Sequence, residues 1–329
     1  MNFIAYRLPG SKKKNIFSTG KALRDYNPET TEAPGFLVAP FNFKEPPYLF
    51  PLKGRLGMDD IVTARIQIGN YAFKEVERDE YTRYIEEIKK AINGSTDRKV
   101  VASRRLILPF SENLSSVFEN LCEEFPEAFV FLVNTEETGC WIGASPELLL
   151  EKNGNEFKSM ALAGTRICVP GSRDWDRKNI EEQDIVARHI GEVFRKNGIE
   201  CSQSDKRNLR YGKIEHICTN IIGRVLAQDF PTEKLISDLY PTPALCGNPK
   251  EFAFDIINSN EGDRGLYGGF LGPLDEKCDF KLYVTIRCAY ISKDITLFGG
   301  GGITHLSNPE EEWEETVHKM ASMKKLLNL

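Results

Sequence analysis

Between residues 128 and 162, three β-rich apolar stretches follow one another: Ala128 to Val133, Trp141 to Leu150 and Phe157 to Leu162. Only polar turns such as Lys152-Asn153-Gly154 separate them. Connections this short join antiparallel neighbours, so the segment reads as a meander. Lys99 to Ser103 and the apolar run Leu106 to Leu108 also read as strand, and the alternation repeats at Lys281 to Ile291 and Ile295 to Phe298. Helical periodicity lies between these runs. Tyr81, Tyr84, Ile85, Ile88 and Ile92 recur at three- and four-residue spacing, as do Ile185, Val186, Ile190 and Val193 between about Asp174 and Lys196. Further helices are predicted around Ser115 to Glu124 and over Glu311 to Leu327. The fold class that follows is α+β, with large antiparallel β-sheets packed as a sandwich and helices on the outside. No internal repeat or low-complexity linker divides the 329 residues, so one domain over 1–329 is expected. The first 60 residues, rich in Pro, Gly and Lys, read as strands such as Phe36 to Ala39 and Tyr48 to Phe50 joined by irregular loops.

A formal net charge of -5 repels phosphate backbones and anionic lipid, which argues against nucleic acid and membrane surfaces as partners. No apolar run approaches the roughly 20 residues that span a bilayer, and the start, MNFIAYRLPGSKKKN, reverses the charge order of a secretory signal. A cytoplasmic protein is the expectation. The eight cysteines are scattered, without a C-x-x-C pair, and read as buried thiols in a reducing compartment.

Three features carry chemistry. Glu181-Glu182-Gln183-Asp184 and Glu310-Glu311-Glu312-Trp313-Glu314-Glu315 place carboxylates at helical spacing, so Glu312 and Glu315 share a face. Hard divalent cations take such oxygen ligands, although solvated helix faces look the same. Gly299-Gly300-Gly301-Gly302 follows a strand and would let backbone N–H groups approach an anion; it also reads as a plain tight turn. It lacks the spacing of a nucleotide-binding loop. Arg287, at the end of Val284-Thr285-Ile286-Arg287, interrupts an apolar strand and suits bidentate binding of a carboxylate, or a rim ion pair.

These features sit within a longer series of blocks: KVVASR from Lys99, ASPELLL from Ala144, ALAGTR from Ala161, EEQDIV from Glu181 and IEHICTNIIG from Ile214. The series continues with PTPALCGNP from Pro241, EGDRGLYGG from Glu261, TIRCAYI from Thr285 and FGGGGITHLSNPEEEWEET from Phe298. In this order the blocks resemble the chorismate-utilising enzymes. The resemblance covers a motif-bearing core over 96–329, after a variable N-terminal portion over 1–95.

The resemblance implies a substrate, chorismate, and a cofactor, Mg2+. It implies Lys99 as a general base on water, where anthranilate synthases usually carry glutamine, and Glu147 of ASPELLL as the general acid. For those roles Lys99 must be neutral and Glu147 protonated near neutral pH, which requires burial or neighbouring charge. Glu182 and Glu312 resemble the magnesium ligands, with Glu315 in support. Arg287 with Gly300, Gly301 and Gly302 would hold the enolpyruvyl carboxylate, and Gly164, His216 and Lys319 would line the site, although His216 also reads as a satisfied core histidine. In PTPALCG, Ala244 and Leu245 look like the isochorismate synthase version, with no nucleophilic lysine before Pro249. The implied reaction is Mg-dependent interconversion of chorismate and isochorismate, serving menaquinone or siderophore synthesis, by a monomer with no amidotransferase subunit. The alternatives are a salicylate synthase, which adds pyruvate elimination, and a non-catalytic chorismate-binding subunit. Two blocks depart from the family pattern: Glu-Gln-Asp stands where Glu-His is frequent, and GGGG where Ala commonly alternates with Gly.

Overall fold

In a computed structural model of the chain, residues 1–24, 34–168, 171, 174–225 and 230–326 are described. The N-terminal strands are β1 (Phe3–Arg7), β2 (Lys14–Thr19), β3 (Gly35–Ala39) and β4 (Tyr48–Arg55), followed by the short α1 (Met58–Val62) and by α2 (Arg78–Ile92). Next come β5 (Lys99–Pro109), α3 (Leu114–Glu124), β6 (Phe129–Thr135), β7 (Gly139–Ser145), β8 (Leu148–Asn153) and β9 (Glu156–Ile167). The long α4 (Arg177–Lys196) leads to β10 (Glu200–Gln203), β11 (Arg207–Tyr211), β12 (Ile214–Arg224) and α5 (Thr232–Leu239). The chain ends with β13 (Gly247–Asn248), α6 (Lys250–Glu261), β14 (Phe270–Leu274), β15 (Phe280–Val284), β16 (Cys288–Ile291), β17 (Asp294–Ile303) and α7 (Pro309–Leu326).

Every strand pairing among the described residues is antiparallel. One sheet runs β4-β2-β1-β6-β7-β16-β17-β5-β13. The other runs β4-β3-β14-β15-β8-β9-β12, with β10 and β11 on the far edge of β12. Because β4 pairs in both, the two sheets join along it.

The period-2 alternation of β6 shows how the layers form. Phe129, Phe131 and Val133 pack inward with Phe36, Val38 and Tyr283 of the facing sheet. Val130 and Leu132 point the other way, to Val117, Phe118 and Leu121 of α3 and Met320 and Met323 of α7. On the outer face of the second sheet, Val186, Ile190, Val193 and Phe194 of α4 meet Leu235 and Leu239 of α5. The predicted stripe on α2 is buried against Val100 and Ala102 of β5 and against α6. Each buried Leu, Ile or Phe of this kind contributes about 1.5–3 kcal/mol. The layered sandwich with outer helices is the expected fold class.

Three local expectations are corrected. Trp141 to Leu150 is two strands, β7 and β8, because Pro146 has no N–H to give a ladder and the chain changes sheets there. Lys281 to Ile291 likewise breaks into β15 and β16, and Arg287 lies in the break with a left-handed φ of 50°, not in a strand. The four glycines form no loop: Gly299 to Gly302 pair in register with Arg104 to Val101 of β5.

Candidate active site

The two sheet-changing segments lie side by side, and each holds the other in place. The amide of Val284 donates to the Glu147 carbonyl at 3.0 Å, and that of Ala144 donates to the Arg287 carbonyl at 3.1 Å. Glu147 and Arg287 are therefore fixed as neighbours, 3% and 6% exposed, on the wall of one cavity. The cavity, about 70 Å³, is also lined by Leu162 to Thr165 from β9, by His216 from β12, and by Gly299 to Gly302 from β17. Glu182 of α4, Lys319 of α7 and the Ala244-Leu245 segment complete the wall. The buried Arg264 steadies two lining residues, donating to the carbonyls of Val101 at 2.7 Å and Leu245 at 3.0 Å while paired with Glu261 at 2.6 Å.

The glycines of β17 let carboxylates lie directly on the backbone. A Cβ at Gly301 would stand 2.6 Å from Glu312 Oε2, and one at Gly302 would stand 2.2 Å from Glu182 Oε1 and 2.5 Å from Lys99 Cε. Gly302→Ala is expected to drive Glu182 and Lys99 apart and to cost about 1–3 kcal/mol. Denaturant unfolding at pH 7 checks it; unchanged stability would refute this reading of the strand. β16 pairs only with residues 295–297 of β17, so among the described residues the glycine stretch has β5 on one side and no strand on the other. The Gly300 carbonyl accepts from Lys319 Nζ at 2.8 Å.

His216 is held in one tautomer. A carbonyl can only accept, so the 2.9 Å contact with the Gly164 oxygen puts the proton on Nδ1. Nε2 is then the acceptor for Arg287 Nη2 at 3.1 Å. Burial, with Arg287 and Lys319 nearby, pushes His216 down to about 3, so the ring is neutral. Arg287 also donates to the Lys319 carbonyl at 3.2 Å, faces the Tyr211 ring, and has no carboxylate partner among the described residues. A buried guanidinium without a counter-ion suits an incoming carboxylate.

Lys99, at the start of β5, is 0% exposed and lies just behind the wall, its Nζ 3.0 Å from Glu182 Oε1. Burial holds it below the ordinary lysine range, although the Glu182 carboxylate pulls the other way. Glu147 moves oppositely: burial raises it to about 8 despite the charges of Lys99, Lys319 and Arg287.

Glu312 and Glu315, on successive turns of α7, face a second, larger cavity of about 730 Å³ beyond the first. Lys178, which motif reading passed over, lines the same outer cavity. Its ammonium lies 3.0 Å from Glu312, 3.7 Å from Glu182 and 3.8 Å from Glu315. Burial alone would depress it, but Glu312, Glu315 and Glu182 together hold it well above the usual lysine range. Its spacing of four residues before Glu182 was the available signal. Lys319 closes the row, 2.6 Å from Glu315, whose carboxyl is drawn down by Lys319 and Lys178 against the effect of burial. Burial lifts Glu312 to about 6, and its Oε2 has no hydrogen-bond partner.

Among the described residues, no three His, Cys, Asp or Glu groups already converge as a ligand cage. The donors nevertheless fit a hard divalent cation: buried carboxylate oxygens, one of them without a partner, gathered around a positive charge over a backbone without side chains. All the residues expected from the sequence are thus in one region. Glu147, Gly164, Glu182, His216, Ala244, Leu245, Arg287, Gly300, Gly301, Gly302 and Lys319 line the inner cavity. Glu312 and Glu315 line the outer one, and Lys99 backs onto Glu182. Tyr267 and Phe298, from two of the blocks, also line the inner cavity but were not singled out.

A sheet sandwich with carboxylates, lysines and an arginine that has no carboxylate partner among the described residues around a small cavity suits an anionic small molecule. The chain belongs to the chorismate-binding enzyme family, whose model matches residues 63–328. It is 32% identical over 266 residues to the isochorismate synthase MenF of Bacillus subtilis, covering 77% of this chain and 56% of that protein. It is 33% identical over 245 residues to the isochorismate synthase EntC of Escherichia coli, covering 70% and 62%. The chain thus spans less than two thirds of either relative. The solved structure of MenF, the menaquinone-specific isochorismate synthase of Escherichia coli, superposes with a TM-score of 0.81 at 20% identity, covering 99% of this chain and 89% of that one.

Proposed function

We propose that the chain is an isochorismate synthase, interconverting chorismate and isochorismate. The observation that carries this reading is a buried lysine held below its ordinary range and a buried carboxyl raised to about 8 beside one cavity. Water chemistry at neutral pH needs this pair, one group to take a proton and one to give it. The resemblance to the isochorismate synthases of two bacteria supports it.

Arg287 and Lys319 bind and orient the dicarboxylate substrate, with the ring lying on the glycine strand. Lys99 takes a proton from water, whose oxygen bonds to ring carbon 2. The ring double bonds shift, the carbon 4 to oxygen bond breaks, and Glu147 gives its proton to the departing hydroxyl, which leaves as water. In the reverse direction Glu147 is the base and Lys99 the acid. Mg2+, held by Glu182 and Glu312 with Glu315 in support, would neutralise the ring carboxylate. No ammonia-supplying subunit is called for when water is the nucleophile.

Incubation of the protein with chorismate and Mg2+, followed by chromatography and NMR, is expected to give isochorismate in equilibrium with chorismate. Salicylate and pyruvate in its place would establish the salicylate synthase alternative, and unchanged chorismate the non-catalytic one.

A further inference from the structure

Lys178 already occupies the centre of the carboxylate cluster. Three glutamates from two helices meet its ammonium within 3.8 Å. With Lys99 on Glu182 and Lys319 on Glu315, they form a row in which every carboxylate has a lysine. Only 16% of the Lys178 side chain is exposed, and the row is shared between two cavities: Glu182 and Lys319 line the inner one of about 70 Å³, while Lys178, Glu312 and Glu315 line the outer one of about 730 Å³. The outer cavity is lined by Asp176, Glu310, Glu311 and Glu314 against Arg166 and Arg177, so it offers a withdrawn ammonium both space and a net negative charge.

We propose that Lys178 is a resident counter-ion that a divalent cation displaces, its ammonium swinging from the glutamate cluster into the acidic outer cavity when the metal binds. This rests on the metal reading given under the proposed function. Two observations carry it. The ammonium and the metal would use the same oxygens, and like charges cannot share so small a space. Glu312 Oε2, buried and without a hydrogen-bond partner, is an acceptor the ammonium leaves unused.

The exchange has two consequences. Metal-free protein keeps its glutamates neutralised, as buried charges require. Replacing one positive charge by two makes the site one unit more positive, which suits a dicarboxylate, so metal and substrate favour each other's binding by linkage. Lys178 is a positioning residue, not a catalytic one.

Calorimetric titration of Mg2+ into the full chain without substrate tests the exchange. Lys178→Met and Lys178→Gln, checked for folding by circular dichroism, are expected to bind Mg2+ at least about tenfold tighter than wild type. Lys178→Arg, which keeps the charge, should bind no tighter than wild type. A second measurement needs no variant: acetylation of Lys178 by an amine-reactive reagent, followed by mass spectrometry, should be slow without metal and several-fold faster at saturating Mg2+. Wild-type protein that binds Mg2+ while both neutral variants bind it equally or more weakly, or an acetylation rate unmoved by Mg2+, overturns the exchange and leaves the metal reading standing. Absence of Mg2+ binding in every form overturns both, and the product assay then judges the activity separately.

Discussion

Glu147→Gln is expected to abolish most of the activity while making the protein more stable. The carboxyl is buried and raised to about 8, against 4.5 for the free group. A folded-state value above the unfolded one means the native protein holds a proton that the unfolded chain releases between pH 4.5 and 8. Folding therefore becomes less favourable as pH rises through that window. The sign is the opposite of the usual salt-bridged carboxylate. Above pH 8 the cost tends to about 5 kcal/mol as an upper bound, at 1.36 kcal/mol for each unit. Glutamine carries no such proton. The variant should unfold at higher denaturant than wild type at pH 8 and lose its advantage near pH 4. Its turnover should fall by about 10²–10⁴-fold, the usual contribution of a general acid. Equal stability of the two proteins across pH 4 to 8 would refute the burial argument, and retained turnover would remove Glu147 from the chemistry.

Lys99→Arg carries the second large expectation. Arginine keeps the positive charge beside Glu182 but cannot be deprotonated. If Lys99 served only as a partner for Glu182, the substitution would be mild. As the group that takes a proton from water, it must be neutral in part of the population, which its burial promotes. Loss of about 10²–10⁴-fold in turnover is expected, with Lys99→Met equally inactive. The pH profile of wild type should rise as Lys99 gives up its proton, below the usual lysine range, and fall as Glu147 ionises near pH 8. Substantial turnover by the arginine variant would show that Lys99 acts through charge alone.

How far the sequence revealed these sites differs by residue. The long amphipathic stripes of α2 and α4 were legible because one helix face is buried along its whole length. The blocks located Glu147 and Arg287, but not the reason for their placement. Both sit where a strand leaves one sheet for the other, and a run of apolar residues looks the same whether it stays in one sheet or crosses. The glycines read as an anion-approaching loop or a tight turn because local propensity sees four flexible residues. The ladder to β5 and the helices packed on top supply the order that glycine lacks. Lys178 was passed over for a related reason. A lysine one turn from a glutamate reads as a solvated pair, and only the arrival of α7 from more than a hundred residues away makes it central.

The glycine strand also sets where this architecture can change. A side chain added at Gly302 crowds both the Glu182 carboxylate and the Lys99 stem, so that point of the wall changes only if both side chains move. Ala244 and Leu245, by contrast, present ordinary side chains to the cavity from a segment outside both helices and long strands. New ring substituents or a different nucleophile would therefore be accommodated by redesigning that segment, with the strand retained as the floor.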